Sequence, residues 1–406
     1  MPPTTLPVTL ADVEAARELL TGVVRPTPLE YSRALAELVG GPVHLKCENL
    51  QRAGSFKIRG AYTRIARLSD QEKARGVVAA SAGNHAQGVA LAARLLGLRA
   101  TVYMPVGAAL PKIRATEGYG AHVVLQGSTV DEALVSAREH AEATGAVLIH
   151  PFDHVDIVAG QGTVGLEILE ECPDVRTVVV CTGGGGLLAG VATAVRALRP
   201  DVRVVGVQAG QAAAWPASLA AGHPVPLERM STMADGIAVG RPGDVPFAVV
   251  RELVDDIRTV GEEAISQALL HLLERAKLVV EPAGAVGVAA LMAEPGAFEP
   301  PVVAVLSGGN IDPLLLLRVI RHGMASAGRY LSLRVRVADR PGSLAGLLAV
   351  LADADANVLE VEHVRTGAAL SVDEVEIGLQ LETRGPEHCD AVLDRLRSEG
   401  YPVTSA

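Results

Sequence analysis

Short runs of apolar, largely β-branched residues recur along the first three-quarters of this 406-residue chain, with helix-like stretches between them. The runs are GVVAAS (76–81), ATVYMP (100–105), AHVVLQ (121–126), TVVVC at the head of TVVVCTGGGG (177–186), VRVVGVQ (202–208) and PVVAVLSGGN (301–310). PVHLKCENL (42–50) reads as a further strand entering a loop. The stretches ADVEAARELL (11–20), NHAQGVALAARLLG (84–97), PKIRATEGYG (111–120), TVDEALVSAREHAEATG (129–145) and LLAGVATAVRALRP (187–200) carry the helical pattern, and Thr9 or Asp12 stands near the first helix start. A strand without polar alternation needs cover on both faces, and strands alternating with helices at this spacing predict parallel βαβ units. The expected class is therefore α/β.

Composition allows such a core: hydrophobic residues are 49% and charged residues 20%. Aromatics are only 3%, so the interior has to be built from Ala, Val and Leu. The net charge of −10 argues against nucleic acid or an anionic membrane as a general partner, since both demand a basic footprint. Cys47, Cys172, Cys181 and Cys389 are scattered without metal-ligand spacing and read as reduced thiols of a cytoplasmic protein. No secretion signal is seen at the start, and no apolar run approaches the ~20 residues of a membrane span.

The pattern changes near RHGMASAGRY (321–330), and a domain boundary is placed at about 328. Beyond it LSLRVRV alternates apolar and polar residues, as a strand with one wet face should. The order strand, helix, strand, strand, helix, with a short last strand at 402–404, predicts a ferredoxin-like α+β module.

Four segments carry candidate chemistry. Lys57 lies in GSFKIRGAY (54–62), in apolar company. Burial lowers a lysine pKa, and the neutral amine is what Schiff-base chemistry requires; the plain alternative is a helix-start lysine with a wet head. SAGNHAQG (81–88) joins a strand to a helix, where free N–H groups suit an anion or where glycine simply eases a turn. CTGGGGLLAG (181–190) sets Gly183, Gly184, Gly185 and Gly186 ahead of a helix, a phosphate cradle or a flexible turn. It lacks the acidic residue of a dinucleotide fingerprint, the second strand ending at Gln208, and the Gly-Lys-Ser/Thr of a P-loop. Ser307, in VLSGGN (305–310), ends an apolar strand, where open α/β sheets bind ligands and where a serine also caps turns. A molecule that needs an imine lysine, an anion loop, a phosphate loop and a hydroxyl together is pyridoxal phosphate.

With ENLQRAGSFKIRGAY, SAGNHAQGVA, TGGGGLLAG, VEPAGA and LSGGN in this order, residues 5–325 resemble the threonine/serine dehydratases (threonine ammonia-lyases) of the fold type II pyridoxal-phosphate enzymes. The tail, with VADRPGSLAGLLAVL, resembles an ACT domain. The resemblance implies two parallel-sheet α/β subdomains in residues 1–327, the smaller, about 52–150, inserted in the larger, and an ACT-like regulatory domain at 328–406. It implies pyridoxal 5'-phosphate bound covalently by Lys57, flanked by Phe56 and Gly236, contacted by Asn84, held by Gly183, Gly184, Gly185 and Gly186, and faced at its ring nitrogen by Ser307. It further implies a substrate carboxylate gripped by Ser81, Gly83, Asn84 and His85.

The implied activity is β-elimination of L-threonine, with L-serine as a second substrate, to a 2-oxo acid and ammonia. Isoleucine or valine is the implied effector, with a homodimer or homotetramer as the assembly and isoleucine biosynthesis as a setting. Candidate effector contacts are Asp339, Gly342, Ser343 and Asn357. The alternatives for the tail are an ACT fold used only for dimerisation or one without a ligand. Racemase-like members carry a second serine where this chain has Ala82, so racemisation is disfavoured, and a β-replacing enzyme or a non-catalytic amino-acid sensor remain rival readings. Members with a divalent-cation site carry acids where VVGVQAGQAAAW (204–215) has Gln208 and alanines, so no magnesium-type site is expected there. Glu281 is read either as part of the site or as a structural carboxylate near the cleft.

Overall fold

Every apolar run becomes a strand with a parallel neighbour. The computed structural model describes residues 6–365 and 370–405 and divides into two compact units, Met1–Asp312 and Pro313–Ala406. In the first unit the strands are β1 (Leu29–Tyr31), β2 (Val43–Lys46), β3 (Val77–Ala80), β4 (Ala100–Met104) and β5 (His122–Leu125). They continue with β6 (Val147–Leu148), β7 (Thr177–Cys181), β8 (Arg203–Ala209), β9 (Asp256–Val260) and β10 (Val302–Val305).

Two sheets result. One has the order β1-β2-β10-β7-β8-β9, parallel except for the β1 pairing. The other, β5-β4-β3-β6, is wholly parallel and comes from the stretch between β2 and β7. Strands β3, β7 and β10 are buried at every position, as their lack of polar alternation demands. β5 carries the same kind of run but lies at a sheet edge, so its residues stay partly exposed.

The helices begin where local chemistry starts them. Helix Leu10–Leu20 is closed by a reciprocal box between Thr9 and Asp12, the two residues the sequence offered. Helices Asn84–Leu95 and Gly186–Leu198 have no side-chain cap, so their leading N–H groups stay available. Helix Lys57–Ala66 shares the core of the small sheet through Ile58 and Ile65, packed with Val77, Ala79, Val89 and Val102.

The second unit holds β11 (Tyr330–Ala338), β12 (Asn357–Val364), β13 (Glu374–Glu382) and β14 (Val403–Ser405) in the antiparallel order β12-β13-β11-β14. The alternation in LSLRVRV is realised, with Leu333, Val335 and Val337 buried against Leu347, Leu351, Val392 and Leu396. Those four come from helices Ser343–Asp353 and Pro386–Ser398. The arrangement is the predicted ferredoxin-like plan, and helix Pro313–Ser326 is grouped with this unit.

Candidate active site

All four singled-out segments follow the carboxyl ends of parallel strands. The lysine segment follows β2, Ser81–Gly83 follows β3, the glycine run follows β7 and Ser307 follows β10. β2 and β10 are paired side by side, and the pairing continues past the strand ends. Ser55 bridges to Gly308, and the Phe56 N–H donates to the Ser307 carbonyl at 3.1 Å. Lys57 and Ser307 are thereby carried on stitched backbone.

Lys57 opens its helix, and its amine is surrounded by protein although the residue as a whole is only half-buried. Its Nζ donates to the Pro151 carbonyl at 3.1 Å and stands 5.1 Å from the Phe56 ring centre. Burial pushes the amine down from 10.5 to about 8, against the opposing influence of Cys181 and Glu281. About a tenth of the amine is then neutral at pH 7. Gly88 keeps the neighbouring helix close, because a Cβ there would lie 3.1 Å from the Lys57 backbone carbonyl carbon.

The glycine run is a nest with its carbonyls tied back. Gly183 C=O accepts from Trp215 Nε1 at 2.7 Å, Gly184 C=O from Gly243 N–H at 3.1 Å, and Gly185 C=O from Ala189 N–H at 2.8 Å. In a trans peptide the following N–H points the opposite way. The N–H groups of Gly184, Gly185 and Gly186 therefore face the other side, and among the described residues they have no protein acceptor. All three glycines are buried, and unpaired buried N–H groups are costly, so the run is a candidate cradle for an external anion. Glycine is required twice over. A Cβ on Gly184 would fall 2.4 Å from the Phe152 ring; Gly185 has φ +96° and would meet Trp215 at 2.3 Å. These observations fit the phosphate of pyridoxal phosphate, and the partly neutral Lys57 fits its carbonyl.

Asn84 begins the uncapped helix after Ser81–Gly83. Its Nδ2 donates to Glu281 Oε1 at 2.6 Å, and its Oδ1 accepts from Asn310 Nδ2 at 2.7 Å, so both ends of the amide are oriented. Glu281 is buried, and burial, reinforced by the Asp235 charge, raises its carboxyl from 4.5 to about 7. Gly236 sits against this group, its absent Cβ 2.9 Å from Ala283 Cβ and 3.5 Å from Glu281 Oε1. Ser81 Oγ accepts from Gly83 N–H at 3.1 Å, shaping the turn. His85 turns its ring to the Ile149 carbonyl at 2.8 Å; burial, with the Lys57 charge, pushes it to about 3, so it is neutral with Nε2 protonated. What His85 can offer an anion is its backbone N–H.

Ser307 is buried beside the Cys181 thiol, which burial raises to about 11 and keeps neutral. At the end of β8, Gln208 is fully buried; its Oε1 accepts from Trp215 N–H at 3.0 Å and its Nε2 donates to the Ala212 carbonyl at 3.3 Å. An amide thus closes the turn in which acids were noted to be missing.

In the second unit, Asp339 follows β11 and is 3.4 Å from Arg365, and Gly342 and Ser343 open the next helix. A depression of about 310 Å³ lies beside Ser343, lined also by Arg336 and Tyr401. Asn357 is not brought to this group within one chain. It pairs with Glu382, which pairs with Tyr330 at the opposite end of β11, about 30 Å from Asp339 at the strand rise. Asn357 Nδ2 donates instead to Glu382.

Reading by motif left out Pro151, Phe152, Cys181, Trp215 and Asn310, all of which touch the site residues. Phe152 and Trp215 carried a signal, being aromatic in a chain with only 3% aromatics. Asn310 lay within a quoted motif and was passed over.

Residues 20–308 match the family model of pyridoxal-phosphate dependent enzymes, and residues 331–386 match the ACT domain model. A relative from Thermotoga maritima named L-threonine ammonia-lyase is 48% identical over 98% of this chain and 99% of its own length. The solved structure of the processed form of threonine deaminase isoform 2 from Solanum lycopersicum aligns with TM-score 0.74 at 39% identity, covering 77% of this chain and 86% of that one. The maize serine racemase structure also aligns with TM-score 0.74, at 35% identity over 79% of this chain and 98% of that one.

Proposed function

The chain belongs to the pyridoxal-phosphate dependent enzymes, and from that membership we propose that it is a threonine ammonia-lyase that eliminates water from L-threonine and releases 2-oxobutyrate and ammonia. L-serine, giving pyruvate, is the second substrate on this reading. The observation that carries it is a buried, partly neutral Lys57 and a glycine nest with unpaired N–H groups, both at carboxyl ends of one sheet.

Pyridoxal phosphate, when bound, supplies an electrophilic carbonyl and an electron sink for the bonds around the substrate Cα. The residues do the rest. Gly183 to Gly186 would hold the phosphate through N–H groups, and Phe56 and Gly236 would flank the ring. The Asn84 amide, fixed by Glu281 and Asn310, keeps one Nδ2 hydrogen free for the ring oxygen or the substrate carboxylate. Ser81, Gly83 and the backbone N–H groups of Asn84 and His85 receive that carboxylate at the uncapped helix start. Lys57, as a free amine, takes the proton from Cα. Ser307 and the neutral Cys181 thiol cannot keep a proton on the ring nitrogen as a carboxylate would, which favours departure of the β-hydroxyl over return of the α-proton.

Residues 1–327 carry the chemistry on this reading, and 328–406 sense isoleucine or valine. Asp339, Gly342 and Ser343 beside the depression are the proposed contacts; Asn357 is left out of that set. The assembly is a homodimer or homotetramer in the cytoplasm, and no helix of the described residues is long and apolar enough to cross a membrane.

The test is a 2-oxo acid assay on the purified protein with L-threonine and L-serine, repeated with isoleucine and valine. Neither substrate above background would overturn the lyase, and indifference to every amino acid would overturn the sensor. A serine racemase is the second reading, since a racemase shares the fold; Ala82 speaks against it, and chiral analysis of the serine left after incubation decides. Added thiols giving a new amino acid would favour the β-replacing alternative, and a colourless, inert protein the amino-acid sensor.

A further inference from the structure

We propose that Trp215 is a positioning residue for the cofactor phosphate: its indole N–H latches the Gly183 carbonyl and so aims the Gly184 N–H into the phosphate nest. The inference rests on the reading that the glycine run holds the phosphate.

Three peptide planes build the nest, and each is fixed by what takes its carbonyl. Two of those donors are backbone N–H groups, of Gly243 and Ala189. The third is a side chain, Trp215 Nε1, at 2.7 Å. Backbone donors come with the fold whatever the residue type; the indole N–H comes only with this residue. Glycine peptides resist rotation weakly, so a plane without its latch samples other orientations and its N–H stops being pre-aimed.

Trp215 is itself held firmly enough to serve. It is fully buried, its ring stacks on Phe247 at 5.9 Å, and its edge fills the space that a Cβ on Gly185 would need. Its backbone N–H is taken by Gln208 Oε1 at 3.0 Å, while Gln208 Nε2 grips the Ala212 carbonyl. The end of β8 is thus wired through one amide to the indole and through the indole to the loop after β7. Core packing alone explains the burial of Trp215 but not the direction of its one polar atom.

Trp215 is the only tryptophan in the chain, so supplying a tryptophan auxotroph with β-(3-benzothienyl)alanine replaces this N–H by sulfur and nothing else. The experiment measures the affinity of the full-length apoprotein for pyridoxal 5'-phosphate and for pyridoxal, native against substituted, with Trp215→Phe as the second variant. The expected result is a fivefold to tenfold rise, roughly what one neutral hydrogen bond governs, in the dissociation constant for pyridoxal phosphate, with that for pyridoxal unchanged. An equal loss for both compounds, or no loss for either, overturns the role of Trp215. A native protein that binds the two compounds equally well overturns the assignment of the glycine run itself, and the proposal with it.

Discussion

Asn84 donates a 2.6 Å hydrogen bond to Glu281, and that carboxyl is buried and carries a pKa of about 7. The bond ties the first residue of one helix to the residue that immediately precedes another, Pro282–Ala293. It also makes the orientation of a candidate cofactor ligand depend on a group that titrates near neutrality.

Folding raises the pKa of Glu281, so the folded protein holds its proton more tightly than the unfolded chain between pH 4.5 and about 7. Stability from this group is fully present below pH 4.5 and is lost as pH rises through 7, a swing on the order of 3 kcal/mol. Glu281→Gln keeps an acceptor for Asn84 and removes the titration. The difference in melting temperature between wild type and Glu281→Gln should therefore widen from pH 5 to pH 8 in favour of the variant. A constant difference refutes this.

Lys57 is lowered to about 8, and only its neutral form attacks a carbonyl. The rate at which the apoprotein takes up pyridoxal phosphate should climb about tenfold per pH unit on the acid side and level off above the pKa. Stopped-flow absorbance measures it. Lys57→Ala should abolish both uptake and turnover.

The Phe152 ring sits where a Cβ on Gly184 would go. Gly184→Ala should weaken pyridoxal phosphate binding by at least about fivefold, given that overpacking costs roughly 1–3 kcal/mol. Adding Phe152→Ala should recover part of the loss. Simple additivity of the two changes, read by equilibrium titration, would mean that the clash is not the cause.

Two residues past Lys57, Arg59 is fully buried against Glu48 and Glu167, and Lys46 joins Glu167 and Glu171 nearby. Burial alone would raise the Glu48 carboxyl, but the Arg59 charge and hydrogen bonds bring it net below the ordinary range. Arg59→Met strands that carboxylate and should cost about 3–5 kcal/mol in denaturant unfolding. The double change Arg59→Met/Glu48→Gln should cost less than the single one.

In the second unit, the proposed effector carboxylate meets the start of helix Ser343–Asp353. Ser343→Glu places a like charge there and should raise the isoleucine concentration needed for a response about tenfold or more, with basal turnover kept. Dose–response curves with each amino acid provide the check.

Which parts of this were legible in the chain follows from range. The strands were readable because β3, β7 and β10 are buried at every position and almost wholly apolar, and the ferredoxin-like plan because β11 and β13 alternate cleanly. Lys57, Asn84, Gly183 to Gly186 and Ser307 lie in local motifs, so their identities were readable too. Their couplings were not. Trp215 meets Gly183 across 32 positions and Asn84 meets Glu281 across 197, and no periodicity or spacing encodes such a pairing. Asn357 shows the converse: it looks close to Ser343 along the chain, yet the strand register carries it to the far end of the sheet.

The stitch between Ser55–Phe56 and Ser307–Gly308 fixes, in the main chain itself, the spacing of the two segments that carry Lys57 and Ser307. Side-chain substitution alone leaves the spacing of those two segments unchanged. Moving one of these segments relative to the other therefore means breaking main-chain hydrogen bonds, so their separation is a property of the scaffold rather than of any one side chain.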